Sequence, residues 1–230
     1  MLLNHKSKII NLKYSHYREV LKVLNVLIAD DHAIVRAGMR QILSTTNDII
    51  LSAEASDASE MLSMIRKEKF DVILMDISMP GINGLDALKQ LRYEFPTLPV
   101  LILSMYPEEQ YAMRFIKAGA SGYLTKGSAT DELIIAIRKV SQGKKYISPA
   151  LAELFASSLD QDTDKMPHEL LSDREYQCML MIATGKTPRV IAEELSLSVK
   201  TVNNYRMRVL EKMNMKSNAE ITGYVINNSL

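Results

Sequence analysis

The chain has 230 residues, 47% hydrophobic and 24% charged, with a formal charge of +1. That is the make-up of a globular chain of one or two domains and excludes an intrinsically disordered one. No apolar run approaches the ~18 residues a membrane span needs. The opening "MLLNHKSKIINLKYSHYREV" lacks a continuous apolar core and a small-residue cleavage site, so no secretory signal is expected.

Residues 1–23 carry five Lys/Arg against one acid and are expected to be a dispensable basic extension. Residues 24–143 alternate strand and helix. "LNVLIA" (24–29) is a mostly apolar run, and "HAIVRAGMRQILS" (32–44) has helical spacing. "IILSAEA" (49–55), "DVILM" (71–75), "PVLILSM" (99–105) and "GYLT" (122–125) read as further strands. Amphipathic helices are predicted over 58–68, 84–95, 108–119 and 130–143. Five strands each followed by such a helix imply a parallel sheet covered on both faces. "YISPALAELFASSL" (146–159) fits a helix entered through Pro149. "DQDTDKMP" (160–167) is polar and acidic, so 144–168 reads as a linker. Residues 169–230 carry only helical pattern, over 172–184, 188–195, 199–213 and 217–228.

In a parallel α/β sheet ligands bind at the carboxyl ends of the strands. Four strands end in chemistry there: Asp30-Asp31, Asp76, Ser104 and Thr125-Lys126. Clustered carboxylates repel unless a cation lies among them. A hard, oxygen-seeking divalent ion such as Mg²⁺ fits, with the lysine as counter-charge to a carboxylate or an arriving phosphoryl group. A carboxylate beside Mg²⁺ is a nucleophile for phosphorus and forms an acyl phosphate. The bland alternative is that each acid merely caps the helix after it.

These residues carry a resemblance. "IADDH" (28–32), "LMDISMPGINGL" (74–85), "ILSMY" (102–106) and "GYLTKG" (122–127) resemble the receiver domain of bacterial two-component response regulators. The resemblance implies a flavodoxin-like fold in which Asp76 accepts phosphate from a sensor histidine kinase. It further implies that Asp30, Asp31, Asp76 and the Ser78 main-chain carbonyl hold Mg²⁺, while Ser104 and Lys126 contact the phosphate. Tyr123 matches the aromatic switch position, which fills the space a moving Ser104 vacates. Ser78 and Tyr106 lie where the family's side chains govern water access, so a bulky Tyr106 is expected to slow hydrolysis.

In the last segment "SDRE" (172–175) is a capping box, with the Ser at the cap and the Glu three positions on. Gly185 ends one helix, Pro188 opens the next, and "SLS" (196–198) makes a tight turn. In the helix from Val199, the residues Val199, Val202, Val209 and Met213 share one face, expected to pack inward. Lys200, Asn203, Asn204 and Met207 point the other way, with Thr201 and Arg208 on a flank. Such a face suits the DNA major groove: Asn pairs with adenine, Lys or Arg with guanine, and Met touches a thymine methyl. Arg206 and Lys212 are further candidates for phosphate contacts. The alternative is a solvated helix face.

Residues 170–221 resemble the LuxR-type helix-turn-helix, and the two resemblances together place the chain in the NarL/FixJ subfamily of response regulators. Tyr205 and the pair Asn203-Asn204 depart from frequent family residues, which bears on the target sequence. The lone Cys178 fits a reducing cytosol, so the cytoplasm is the expected compartment; the resemblance implies a bacterial regulator, not an enzyme beyond slow self-dephosphorylation. It further implies that phosphorylation frees the DNA-binding helix and favours a homodimer on double-stranded promoter sites. A constitutive DNA-binding regulator that needs no phosphate is the rival reading. A phosphatase is disfavoured because Ser78 stands where such sites carry a second aspartate.

Overall fold

The computed structural model describes residues 23–159, 166–228 and 230. The basic extension up to residue 22, and 160–165 of the polar run, lie outside the described residues. Strands β1 (Leu24–Ala29), β2 (Ile49–Ala55), β3 (Val72–Asp76), β4 (Val100–Ser104) and β5 (Gly122–Thr125) alternate with five helices. These are α1 (Ala33–Ser44), α2 (Ala58–Lys67), α3 (Gly84–Glu94), α4 (Glu108–Lys117) and α5 (Thr130–Ser141). The strands form one parallel sheet in the order β2-β1-β3-β4-β5, the flavodoxin-like doubly wound arrangement. The order reverses between β1 and β3, and the crevice at such a reversal is where this fold takes ligands.

Period-2 alternation sorts the strand side chains between the faces. Val26, Ile28, Leu74 and Leu103 meet α1 and α5, while Leu27, Ile73, Met75 and Ile102 meet α2, α3 and α4. Burial on both faces is why β1, β3 and β4 read as largely apolar runs, broken in β1 only by the exposed Asn25. Local chemistry sets the helix starts. Asp57 accepts the Glu60 N–H at 2.9 Å while Glu60 takes the Ser56 N–H at 2.7 Å, and Asn83 caps α3 by accepting from Leu85 at 3.0 Å. Gly84 is required by close approach: a Cβ there would stand 2.7 Å from the Ile77 Cα. Helix α3 is thereby pressed onto the backbone that leaves Asp76.

Packing continues past α5. Tyr146 forms a parallel bridge to Gly122 beside β5, Ser148 hydrogen-bonds Glu108, and α6 (Pro149–Leu159) buries Leu151 in the core beside α4. The C-terminal part follows a 3-10 turn (Pro167–Leu170). It comprises α7 (Asp173–Ala183), α8 (Pro188–Glu194), α9 (Val199–Lys212) and α10 (Asn218–Asn227), packed through Cys178, Met179, Ile191, Val202, Val209 and Ile221. The capping box forms: Glu175 accepts the Ser172 N–H at 2.8 Å. No helix among the described residues is long and apolar enough to cross a membrane.

Candidate functional site

The strand ends bring Asp30, Asp76, Ser104 and Lys126 together below the surface. Asp30 and Asp76 are 1% and 2% exposed, and Ser104 is fully buried. Each aspartate has one oxygen satisfied by local backbone: His32 N–H donates to Asp30 Oδ1 at 2.8 Å, and Ile77 N–H to Asp76 Oδ1 at 2.7 Å. The other oxygens face Lys126, whose Nζ lies 2.7 Å from Asp30 Oδ2 and 2.9 Å from Asp76 Oδ2. Both contacts are ion pairs off the direction a hydrogen bond needs, so the two Oδ2 atoms have no hydrogen-bond donor.

Burial raises the Asp76 carboxyl above the usual aspartate range, and Lys126 offsets only part of that rise. For Lys126, burial favours the neutral amine, but the charges of Asp76 and Asp30 outweigh it and raise its pKa. Asp31 lies at the mouth with its carboxylate 2.9 Å from His32 Nδ1. Carboxylate oxygens of Asp30, Asp31 and Asp76 and a ring nitrogen of His32 fall within 4.8 Å of one another. This donor set, with two buried oxygens lacking a hydrogen bond, fits a hard divalent cation. His32 was absent from the sequence-derived site; its signal was its place directly after the acidic pair.

The switch positions adjoin this cluster. The Tyr106 N–H donates to Ser104 Oγ at 3.0 Å. Tyr123 is fully buried, and its hydroxyl donates to the Tyr106 carbonyl at 2.9 Å. Burial pushes the Tyr123 phenol well above its ordinary pKa.

On α9, Ser198 caps the helix by accepting the Thr201 N–H at 3.0 Å, and Ser196 adopts a positive φ of 53° in the turn before it. Val202, Val209, Leu210 and Met213 face the core. Val199, expected to pack inward, is instead 43% exposed, because it opens the first turn, ahead of the packed stretch. Lys200, Asn203, Asn204, Met207 and Arg208 are all exposed, spaced as one helical stripe, while Thr201 is half-buried against Ser198. Two candidate phosphate contacts are engaged within the domain: Arg206 donates to Asn218 at 2.6 Å and Lys212 to Glu175 at 2.7 Å.

Comparison with known proteins agrees with both halves. Residues 26–138 match the family described as "Response regulator receiver domain", and 169–225 match "Bacterial regulatory proteins, luxR family". Over 209 residues the chain is 39% identical to the response regulator UvrY of Escherichia coli K12, spanning 90% of this chain and 96% of that protein. The chain belongs to the response regulators. Pseudomonas aeruginosa GacA is 38% identical over 200 residues, 86% of this chain and 94% of its own. A LuxR-family response regulator from Aurantimonas sp. SI85-9A1 shares the fold with a TM-score of 0.57 at 32% identity, over 61% of this chain and all of its own. Salmonella enterica RcsB, solved on promoter rprA with the phosphomimetic BeF3-, superposes with a TM-score of 0.62 at 24% identity, over 88% and 98% of the two chains.

This response regulator is of the NarL/FixJ type, with a receiver and a helix-turn-helix for DNA binding. Its two parts are also in contact, through residues that sequence reasoning passed over. Arg114 on α4 donates to the Leu171 carbonyl at 2.6 Å, lies 3.1 Å from Asp173, and stacks 4.4 Å above the Tyr176 ring. The Tyr176 hydroxyl donates back to the Gln110 carbonyl at 2.9 Å. The Tyr111 and Tyr176 rings meet edge-on at 5.6 Å between centroids; each lies inside a predicted helix, and nothing local announced that they meet.

Proposed function

We propose that a sensor histidine kinase phosphorylates Asp76 and thereby controls transcription from promoters that α9 recognises. The observation that carries this is the Asp76 carboxylate, held at the sheet reversal with its Oδ2 free of hydrogen bonds and 2.9 Å from Lys126. An Asp76 oxygen attacks the phosphorus, a new O–P bond forms, and the N–P bond of the donor's phosphohistidine breaks with its electron pair leaving on the imidazole. Asp30, Asp31, Asp76 and the Ser78 carbonyl would hold Mg²⁺, which when bound neutralises the phosphoryl oxygens. Lys126 moves from pairing two carboxylates to pairing the acyl phosphate, and Ser104 turns its hydroxyl to the same group. Tyr123 adjusts in the space beside it.

The phosphorylated protein acts in the bacterial cytoplasm as a two-fold dimer on paired half-sites, and it turns over nothing beyond slow self-dephosphorylation. On α9, Asn203 and Asn204 read bases while Lys200 and Arg208 steady the helix on phosphates. One observation favours the rival, phosphate-independent reading: the α9 stripe is exposed with the receiver docked. Intact-protein mass after incubation with Mg²⁺ and acetyl phosphate, beside Asp76→Asn, separates the two. One phosphate on the wild type alone is the expected result. No phosphate, with unchanged promoter binding by Asp76→Asn, would put the rival ahead.

A further inference from the structure

The N-terminal edge of the sheet, at the far end from Asp76, opens into a groove of 630 Å³. The loops that lead into β3 and β4 form its walls, with Ser141 and Gly143 on a further side. Phe70, Phe95 and Leu98 line its apolar part, and Glu68, Asp71 and Glu94 stand there against one lysine, Lys69. Phe95 and Leu98 are only half-buried, so the groove keeps apolar surface in water. Arg66 holds Glu94, whereas Glu68 ends α2 as an exposed residue. The groove is therefore both apolar and acidic.

The chain enters the sheet at the rim of this groove. The Asp71 carboxylate accepts the Asn25 N–H at 2.9 Å, and the Asp71 N–H donates to the Asn25 carbonyl at 2.8 Å. Residues 1–22 are thus tethered beside it, and their sequence is its complement. Lys6, Lys8, Lys13, Arg18 and Lys22 oppose Glu19 alone. Ile10, Tyr14, Tyr17 and Leu21 recur at the spacing of one helical stripe. Reach is no obstacle, since the link from Tyr17 to Leu24 spans at most ~25 Å when extended. The neighbouring hollow beside Asp48 lacks this complement, because Arg138 takes both Asp48 oxygens.

We propose that residues 1–22 fold back over this groove as an intramolecular strap. Their tyrosine stripe lies on Phe95 and Leu98, and their cations face Glu68 and Asp71. A short tether gives an effective concentration on the order of 1 mM. A second copy lacks the tether and bears the full cost of association, so the chain's own segment holds the site. The strap makes the extension part of the receiver rather than a dispensable tail. It sits at the opposite sheet edge from Asp76 and does not depend on phosphorylation.

Chymotrypsin tests this, because it cuts after Tyr14 and Tyr17. Cleavage is followed by intact mass for the full chain and for a synthetic peptide of residues 1–22 at matched concentration. The full chain is expected to be cut about tenfold more slowly than the peptide. Glu68→Lys and Thr97→Trp alter exposed positions of the groove. Each should speed cleavage of the full chain about fivefold, the first by reversing a charge and the second by filling the groove. A full chain cut as fast as the peptide overturns the proposal. So does protection that neither groove variant relieves, or that rises with protein concentration as a second copy would require. Protection that appears only with duplex DNA or anionic vesicles overturns it as well.

Discussion

Lys126 stands 2.9 Å from Asp76 with both side chains almost out of water. Because the same ammonium also pairs Asp30 at 2.7 Å, removing it strands two buried carboxylates. Lys126→Ala is expected to cost about 3 kcal/mol in urea unfolding without a divalent ion. Added Mg²⁺ should restore more stability to the variant than it adds to the wild type, since a cation then replaces a cation. An equal Mg²⁺ effect on the two would show that the ion binds elsewhere.

Tyr106 lies two residues past Ser104, with its N–H on Ser104 Oγ at 3.0 Å, and its ring is expected to screen the acceptor from water. Its replacement by Ala should shorten the acyl-phosphate lifetime, because water gains the space the phenol filled. The decay of phosphorylated protein after removal of the donor measures this directly, and an unaltered half-life would mean that the ring does not screen the site.

Tyr111 offers a stabilising substitution. Its hydroxyl is buried and unpaired, so Tyr111→Phe removes an unmet polar group and keeps the ring stack. A gain of about 1 kcal/mol is expected, a rise in Tm of about 2–4 °C for a chain of this size. A lower Tm would mean that the hydroxyl has a water partner.

The cations of α9 divide into two kinds. Lys200→Ala should weaken promoter binding and reduce the salt slope by about 1, and Asn203→Ala should cost about 1–3 kcal/mol of discrimination between sites. Lys212→Met should leave the salt slope alone, because Lys212 is committed to Glu175. Its effect is instead on stability, about 1 kcal/mol once solvent screening is allowed for.

That last effect carries a pH signature. Burial pushes the Glu175 carboxyl up, but Lys212 and the Ser172 hydrogen bonds outweigh it and hold it below the usual range. A depressed folded value gives stability that is present above the ordinary glutamate pKa and lost as pH falls through the folded one. The Tm gap between wild type and Lys212→Met should therefore be full at pH 7 and close as the solution is made acid. A constant gap would assign the Lys212 contribution to packing.

Much of this was legible in the residue order. The apolar runs of β1, β3 and β4 are visible because both sheet faces are covered. The acidic site is visible because a parallel sheet gathers all its strand ends on one edge, so Asp30, Asp76, Ser104 and Lys126 needed no long-range information to be grouped. What escaped depends on contacts that no period encodes. Val199 has the right helical phase but the wrong depth, being in the opening turn. Lys212 looked like a free cation until Glu175, 37 residues earlier, was seen to hold it. The Tyr111–Tyr176 contact joins two units whose patterns are independent, so neither announces the other.

The bridge between Gly122 and Tyr146 decides where this chain can be cut. A fragment ending at Gly143, just after α5, would bare the β5 edge and open the socket that Leu151 fills, leaving unpaired backbone beside an apolar hollow, the combination that invites edge-to-edge aggregation. A receiver fragment carried through to Leu159 keeps its own gatekeeper and should remain monodisperse where the shorter one clumps.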